Sequence, residues 1–478
     1  MRRINTFIDV MTEREVQMIH DNSLRILSEI GMRVPNDEVL SMCENMGGIV
    51  DDGRKTVRIP VRVVEDLLKK VQAQSRADYG KMPRDQLSVG VSTQVFYFDY
   101  ATKTRRYGRM DDIFKGIRLL ETLEHFPGSG AVVLPSDVPS NFADVASFHA
   151  IYAYAKKEGG TFILSPVSAR YIVEMTKAMG RSCGYFLETV SPLQYRKESL
   201  EMALVMTKMG CPISIGPMVI GGALGPITIA GNCSLQNAEI LGSMFVGAAL
   251  TGGYSYGYGS FNHSMDMRTM TCSFGSPNQA LLGMAAAQMG RYYGLWSVSN
   301  NGLTDSMLPD YQCGMEKASN AIFALLAGCG GMGGQGIAGA DQGMSLEQLV
   351  LDNEFVDLYN YIMSGFSVNE ETLAFDLLKE VGIGGNFIAE EHTAAHIADS
   401  YWHSGIFGRD TYDSWTAAGK KSALDRAHEY VEDVTRGYRD MEPVIPDRLY
   451  EEITRIRDEA ARELAGEPRG SWPGNRNK

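Results

Sequence analysis

From Asp111 onward the chain alternates helical patterns of roughly 12 to 20 residues with short β-rich segments that end in Gly, Pro, Ser, Asp or Asn. The β candidates are Ala131–Leu134, Thr161–Leu164, Tyr185–Leu187, Pro212–Ile215, Gly253–Tyr258 and Leu295–Val298, with a weaker one in the glycine-rich stretch Gly330–Ile337. Helical patterns lie near 139–156, 168–182, 196–209, 234–250, 277–293, 309–327 and 345–363. Parallel strands need a crossover between each pair, so alternation sustained over about 250 residues calls for a parallel sheet. The count favours closure into a ring over an open sheet, which makes the predicted fold α/β, a TIM-type (β/α)8 barrel over 111–385. Polar residues gather just after the strands, at Ser165, Glu188, Gly216-Pro217, His263 and Asn300-Asn301, and in a barrel that end carries the active site.

Residues 1–110 are expected to form an appendage of helices and a small β-sheet. A helix is predicted from Thr12 to Ile30, with Glu13 and Glu15 in its first turn, where carboxylates favour the helix dipole. Asp37 to Met46 and Val61 to Gln72 also read as helices, and Lys55 to Pro60 as extended. The pattern from Gln86 to Arg109 reads as a hairpin or small sheet. Residues 386–478 read as charged helices packing on the barrel, and the Pro/Gly-rich tail Gly466–Lys478 is expected to fray.

With 45 basic and 58 acidic side chains, the formal charge is −13. That argues against nucleic acid or an anionic membrane surface as a partner, since either calls for a basic patch. No signal-peptide pattern or membrane-length apolar run is present, so the chain is expected to be cytoplasmic. The seven cysteines are scattered and read as reduced, mostly buried residues.

Tyr254, Tyr256 and Tyr258 alternate with small residues, which puts their rings on one face of a strand. Beyond them lie His263, Asp266 and Arg268. Aromatic faces ending at charged groups hold a small organic cation with a polar tail. The same pattern fits tyrosines packed under helices with their hydroxyls bonded, and the segment alone does not choose. Gly334, Gly336 and Gly339 match G-x-G-x-x-G, but without a clear strand before them or a helix opening after, so a glycine-rich loop at the barrel mouth is preferred to a dinucleotide site. His392 and His396 share a helical face at metal-ligand spacing. With no third ligand, a structural pair or an interface is preferred, and no metal site is assigned. Gln312 and Glu316 also share a face, beside a helix start at Pro309 and Asp310. No Ser or Cys nucleophile motif and no P-loop occurs.

In this setting Gly31-Met-Arg-Val-Pro35, Asp266-Met-Arg268, Thr304-Asp-Ser306, Pro309-Asp-x-Gln312-x-Gly-x-Glu316-Lys317, Ser345-x-Glu347 through Asp352-Asn-Glu354, and His392-Thr-x-x-His396 stand in order along the chain. It resembles the trimethylamine methyltransferase superfamily, in its members lacking pyrrolysine, over nearly its whole length. The resemblance implies a (β/α)8 barrel that moves a methyl group from an amine to cob(I)alamin presented by a separate corrinoid protein, with no cofactor bound tightly. The trimethylamine enzymes carry pyrrolysine near the strand end that matches Thr304–Pro309; here that stretch holds ordinary residues. Relatives of this kind act on quaternary amines such as glycine betaine, proline betaine, carnitine or γ-butyrobetaine.

A quaternary nitrogen leaves as a neutral tertiary amine, so no acid is required, and a cobalt nucleophile explains the missing protein nucleophile. Glycine betaine is the expected substrate, because several aromatics imply a small pocket. The expected catalytic residues are Asp305, Gln312 and Glu316. Three alternating tyrosines span about 13 Å, too far to share one ammonium. Tyr256 and Tyr258, nearest the carboxyl end, are therefore the expected cage rings, with Tyr97 and Tyr100 as lid rings. Arg268 or His263 is expected to receive the carboxylate, with Asp266 orienting Arg268, and Gly333, Gly334 and Gly336 are expected to face the corrinoid. Two competing readings are a barrel that binds betaine without chemistry and a zinc-dependent methyltransferase using His392 and His396. The charged C-terminal helices leave room for a homo-oligomer.

Overall fold

A computed structural model of the chain describes residues 7–77 and 87–464; Gln86 and the tail Gly466–Lys478, both given an expectation above, lie outside them. Eight strands alternate with eight helices. The strands are β1 (Ser88–Val91), β2 (Ser129–Gly130), β3 (Gly159–Gly160), β4 (Tyr185–Leu187), β5 (Ile213–Ile215), β6 (Tyr258–Ser260), β7 (Ser297–Ser299) and β8 (Gly331–Gln335). The helices that follow them are α1 (Met110–Leu120), α2 (Ala143–Tyr154), α3 (Pro166–Ala178), α4 (Lys197–Lys208), α5 (Ile229–Thr251), α6 (Pro277–Tyr293), α7 (Tyr311–Leu326) and α8 (Leu346–Ser364).

The strands pair in parallel, as the alternation requires: β2 with β3, β4 with β5, and β6, β7, β8 in succession. Met332 of β8 then pairs with Val89 of β1, which closes the ring. The molecule is a (β/α)8 barrel. The boundary expected at residue 111 falls inside it, because Ser88–Val91, assigned above to the appendage, is the first barrel strand.

Local chemistry sets the helix starts and stops. Ser165 caps α3 ahead of Pro166, and Pro277 opens α6. Gly252 and Gly294 end α5 and α6 at φ +68° and +67°. Asp310 accepts from the Cys313 amide, so α7 begins at Tyr311, with Pro309 just outside it.

Helix α5 is buried almost all round. Its outer side is covered by the N-terminal helices Glu13–Arg25, Asp37–Asn45 and Val61–Ser75. A Cβ on Gly242 of α5 would stand 2.2 Å from Met32 Sδ, so the covering layer touches the helix backbone. The helices Ala423–Thr435 and Asp447–Leu464 cover the other side, the first on α8 and α1, the second on α2 and α3. Behind β8, Lys317 of α7 and Asp352 of α8 form a buried ion pair at 3.1 Å. Asp352 also accepts from the Gly336 amide and from Gln348 Nε2, each at 2.8 Å. Among the described residues, no helix is long and apolar enough to cross a membrane.

Candidate active site

Side chains paired across parallel strands share a face of the sheet. Tyr258, Ser260, Ser297, Ser299, Met332 and Val89 therefore lie on one side, and Gly259, Val298 and Gly90 on the other. The first side meets the helices: the Tyr258 hydroxyl donates to Asn237 Oδ1 of α5 at 3.0 Å, and its ring stacks on Tyr293 of α6 at 5.8 Å. The second side lines the lumen. On β4 and β5 the core takes Leu187 and Ile215, which leaves Phe186 and Ser214 facing inward. Most barrels fill this space with branched side chains. Here a Cβ on Gly90 would meet nothing within 4 Å, and Ser214 is exposed although it lies inside the ring. The lumen is open.

Two aromatic rings enter it near the carboxyl ends of the strands. Phe186 and Phe261 meet edge to face, with centroids 5.9 Å apart and planes at 65°. Gly216 lies under both, since a Cβ there would stand 2.1 Å from Phe261 and 2.7 Å from Phe186. From the position a Cβ on Gly333 would take, the Phe261 ring is 3.9 Å away and Asn300 Oδ1 is 3.6 Å away.

Asn300, the residue after β7, is held in one orientation. Its Nδ2 donates to His263 Nε2 at 2.9 Å. His263 is fully buried and stacked on Phe274, with centroids 4.1 Å apart. Burial pushes its imidazole down to about 4, against the opposing pull of the Gln279 side chain and the Ser273 backbone. The ring is neutral near pH 7, with Nε2 as acceptor and its proton on Nδ1. The amide nitrogen of Asn300 is thereby taken up, and its oxygen is the group offered to the lumen.

A profile described as trimethylamine methyltransferase (MTTB) matches residues 1–462. The chain belongs to the trimethylamine methyltransferase family. It is 27% identical over 444 residues to the trimethylamine methyltransferase MttB of Desulfitobacterium hafniense strain DCB-2, covering 89% of each chain. It is 27% identical over 451 residues to the glycine betaine methyltransferase of Desulfitobacterium hafniense strain Y51, covering 90% of this chain and 93% of that one. The Methanosarcina thermophila MttB is 26% identical over 468 residues, with 92% and 95% covered. Members of the family are corrinoid-dependent methyltransferases.

The structure separates the family member's expected site residues into three groups. The tyrosines face the helices rather than the lumen. Tyr256 is buried against Gly247 of α5, its hydroxyl 3.4 Å from Thr251 Oγ1, and Tyr258 is packed as described. Tyr97 lies under the Arg106 guanidinium at 4.5 Å. Tyr100 donates to Asp425 at 2.5 Å and stacks on His428 at 3.9 Å, which ties its hairpin to the helix Ala423–Thr435. These four rings pack away from the lumen, and the rings that enter it are Phe186 and Phe261. Asp266 and Arg268 sit on an outer hairpin, with the Arg268 side chain 92% exposed and 4.0 Å from Asp266.

The second group supports the site from behind. Asp305 accepts from Ser273 Oγ at 2.6 Å and from the Phe274 amide at 2.5 Å. Glu316 accepts from Thr304 Oγ1, the Asp305 amide and Gln312 Nε2, at 2.7, 2.8 and 2.8 Å. Gln312 and Glu316 do share a helix face, yet these bonds occupy both carboxylates in joining the loops after β6 and β7. Asp305 fixes Phe274, Phe274 supports His263, and His263 orients Asn300.

In the third group, Gly333 alone opens on the lumen. Gly334 lies against Ile337, and Gly336 is bonded to Asp352. His392 and His396 stand 4.3 Å apart between ring centroids, with Glu371 3.6 Å from His396. Among the described residues, no group of three His, Cys, Asp or Glu side chains is placed to hold a metal ion.

Proposed function

We propose that this chain transfers a methyl group from a small quaternary amine, glycine betaine first among them, to the cobalt of a separate corrinoid protein docked at the barrel mouth. The arrangement of Phe186, Phe261 and the Asn300 oxygen in an open lumen carries this reading. Ring faces and an amide oxygen attract a permanent cation without titrating. Each ring contact is worth about 0.5–2 kcal/mol, so the two together give up to about 4 kcal/mol, the scale of a millimolar site.

The corrinoid supplies the nucleophile, a Co(I) centre that takes up the methyl. As the methyl carbon is attacked, its bond to nitrogen breaks and the electron pair returns to nitrogen, leaving a neutral tertiary amine. No general acid is needed at that step, which suits a cage whose one imidazole is held neutral. The residues of the chain orient the ammonium and keep bulk water from it. Ordinary residues at Thr304–Pro309 also favour a quaternary over a tertiary amine.

The test is absorbance spectroscopy of the reduced corrinoid protein mixed with this enzyme and one of glycine betaine, proline betaine, carnitine, γ-butyrobetaine or trimethylamine. Methylation of the corrinoid with glycine betaine is the expected result. Silence with every quaternary amine, or a response to trimethylamine alone, overturns the proposal.

A further inference from the structure

Given the function proposed above, on which this rests, we infer that Asp341 is the counter-charge for the substrate ammonium and makes the lumen select cations over neutral molecules of the same shape. After β8 the chain makes a hairpin of Ile337–Ala338 and Gly343–Met344. In its turn Gly339, Ala340 and Asp341 are all left-handed, at φ +64°, +52° and +67°. Two of the three are not glycine, and such strain persists where the surroundings hold it, often at functional sites. Here the amides of Gly339 and Ala340 donate to the carbonyls of Ser306 and Thr304 at 2.8 and 2.9 Å, which seats the turn on the loop after β7. The Asp341 carboxylate accepts from Gln94 Nε2 at 2.6 Å. Gln94 is bonded through its backbone to Val132 and Leu134, just beyond the carboxyl ends of β1 and β2.

Asp341 thus stands on the β8–β1 side of the mouth, and Phe186 of β4 stands on the other. Ala340 packs on the cluster of Phe274, Leu303 and Ile337, so the turn adjoins the stack behind Asn300. Asp341 is exposed, yet burial by the protein around it raises its carboxyl above the ordinary value, against the opposing Gln94 bond. Surface open to solvent within dense surroundings belongs to the wall of a pit rather than to an outer loop. Elsewhere in the barrel a buried carboxylate is fully answered. Asp352 has Lys317, and Asp112 has the Arg106 guanidinium at 2.7 Å. Asp144 accepts from the Val145 and Leu164 amides and from Ser168 Oγ. Glu239 accepts from the Thr189 and Ser191 hydroxyls and the Leu193 amide. Among the described residues, Asp341 has the neutral Gln94 amide alone. A carboxylate left short of partners beside an open lumen favours a cation that enters it. A trimethylammonium group offers no hydrogen bond, so the attraction is to its charge.

Ligand-observed NMR titration of the full chain with glycine betaine and with 3,3-dimethylbutanoate tests this. The two share their shape and their carboxylate, and differ in a neutral carbon for the charged nitrogen. The wild type is expected to prefer glycine betaine by at least about 30-fold. Asp341→Asn keeps an oxygen for Gln94 and a side chain that suits the left-handed backbone, so the turn is retained. In that variant the preference is expected to fall about tenfold, with 3,3-dimethylbutanoate bound no worse. A variant that keeps the full preference, or that binds both ligands equally weakly, overturns the inference and leaves the proposed reaction untouched. A wild type without preference for the cation overturns the inference and the ammonium reading together.

Discussion

Asn300 offers an oxygen to the lumen because its nitrogen is committed to a neutral imidazole, and each half of that statement can be broken separately. Asn300→Leu keeps the volume and removes the acceptor. His263→Phe keeps the stack on Phe274 and frees the amide to turn. Each is expected to weaken glycine betaine binding about tenfold in calorimetry, and the double variant no further, since both act through one oxygen. The folded-state value for His263 lies at about 4, well below that of a free imidazole. Affinity should therefore stay flat from about pH 8 to about pH 5.5 and fall only as the pH approaches 4, when the ring takes up a proton, stops accepting and repels the cation. A break near pH 6.5 would show the imidazole to be solvated. Asn300 was legible as a polar residue just after a strand, whereas Phe261 was not singled out although it lies inside the segment that suggested a cage. Their roles were hidden because alternation fixes which side chains share a face, and a parallel strand buried on both sides does not mark which face is the lumen.

At the level of elements, the helices were the most legible. The predicted 277–293 is observed as Pro277–Tyr293, and 196–209 as Lys197–Lys208, because apolar side chains at helical spacing need a core on one side only. Short barrel strands carry two to five residues and little pattern. Ser88–Val91 was therefore taken with the adjoining hairpin, and Gly253–Tyr258 was placed too early. What holds β8 against its neighbours was also invisible, since the Lys317–Asp352 pair joins two helices through burial. Burial alone raises the Asp352 carboxyl, and Lys317 counters it. Lys317→Met should thus lower stability by about 3–5 kcal/mol in denaturant unfolding, by stranding a charge. Replacing Asp352 with Leu in the same chain should recover much of that loss. A single variant as stable as the wild type would mean that the pair is dispensable.

For the whole molecule, closure through β1 makes the first hundred residues part of the barrel. Removing 1–110, a reasonable cut from the sequence pattern, deletes the strand that pairs with Gly331–Gln335 and uncovers α5. The product is expected to lack cooperative thermal unfolding by circular dichroism. A soluble fragment with a sharp transition would show that β1 is replaceable. The ring itself was legible from alternation over most of the chain; its starting point was not, because that depends on which strand returns to meet the last.

The open lumen has a consequence for how substrate range can diverge. Its width is set by side chains that are missing, and some of those absences are free to change. A methyl group at Gly90 meets nothing, and one at Gly333 makes ordinary contacts at 3.6 and 3.9 Å. At Gly216 and Gly259 the same methyl would run into the phenylalanine rings or the Ile215 carbonyl, at 2.1 and 2.9 Å. Single-base changes at two codons can therefore narrow the lumen without disturbing the packing of Phe186 against Phe261. The bore of the barrel can then be tuned one methyl at a time, with no clash at either position.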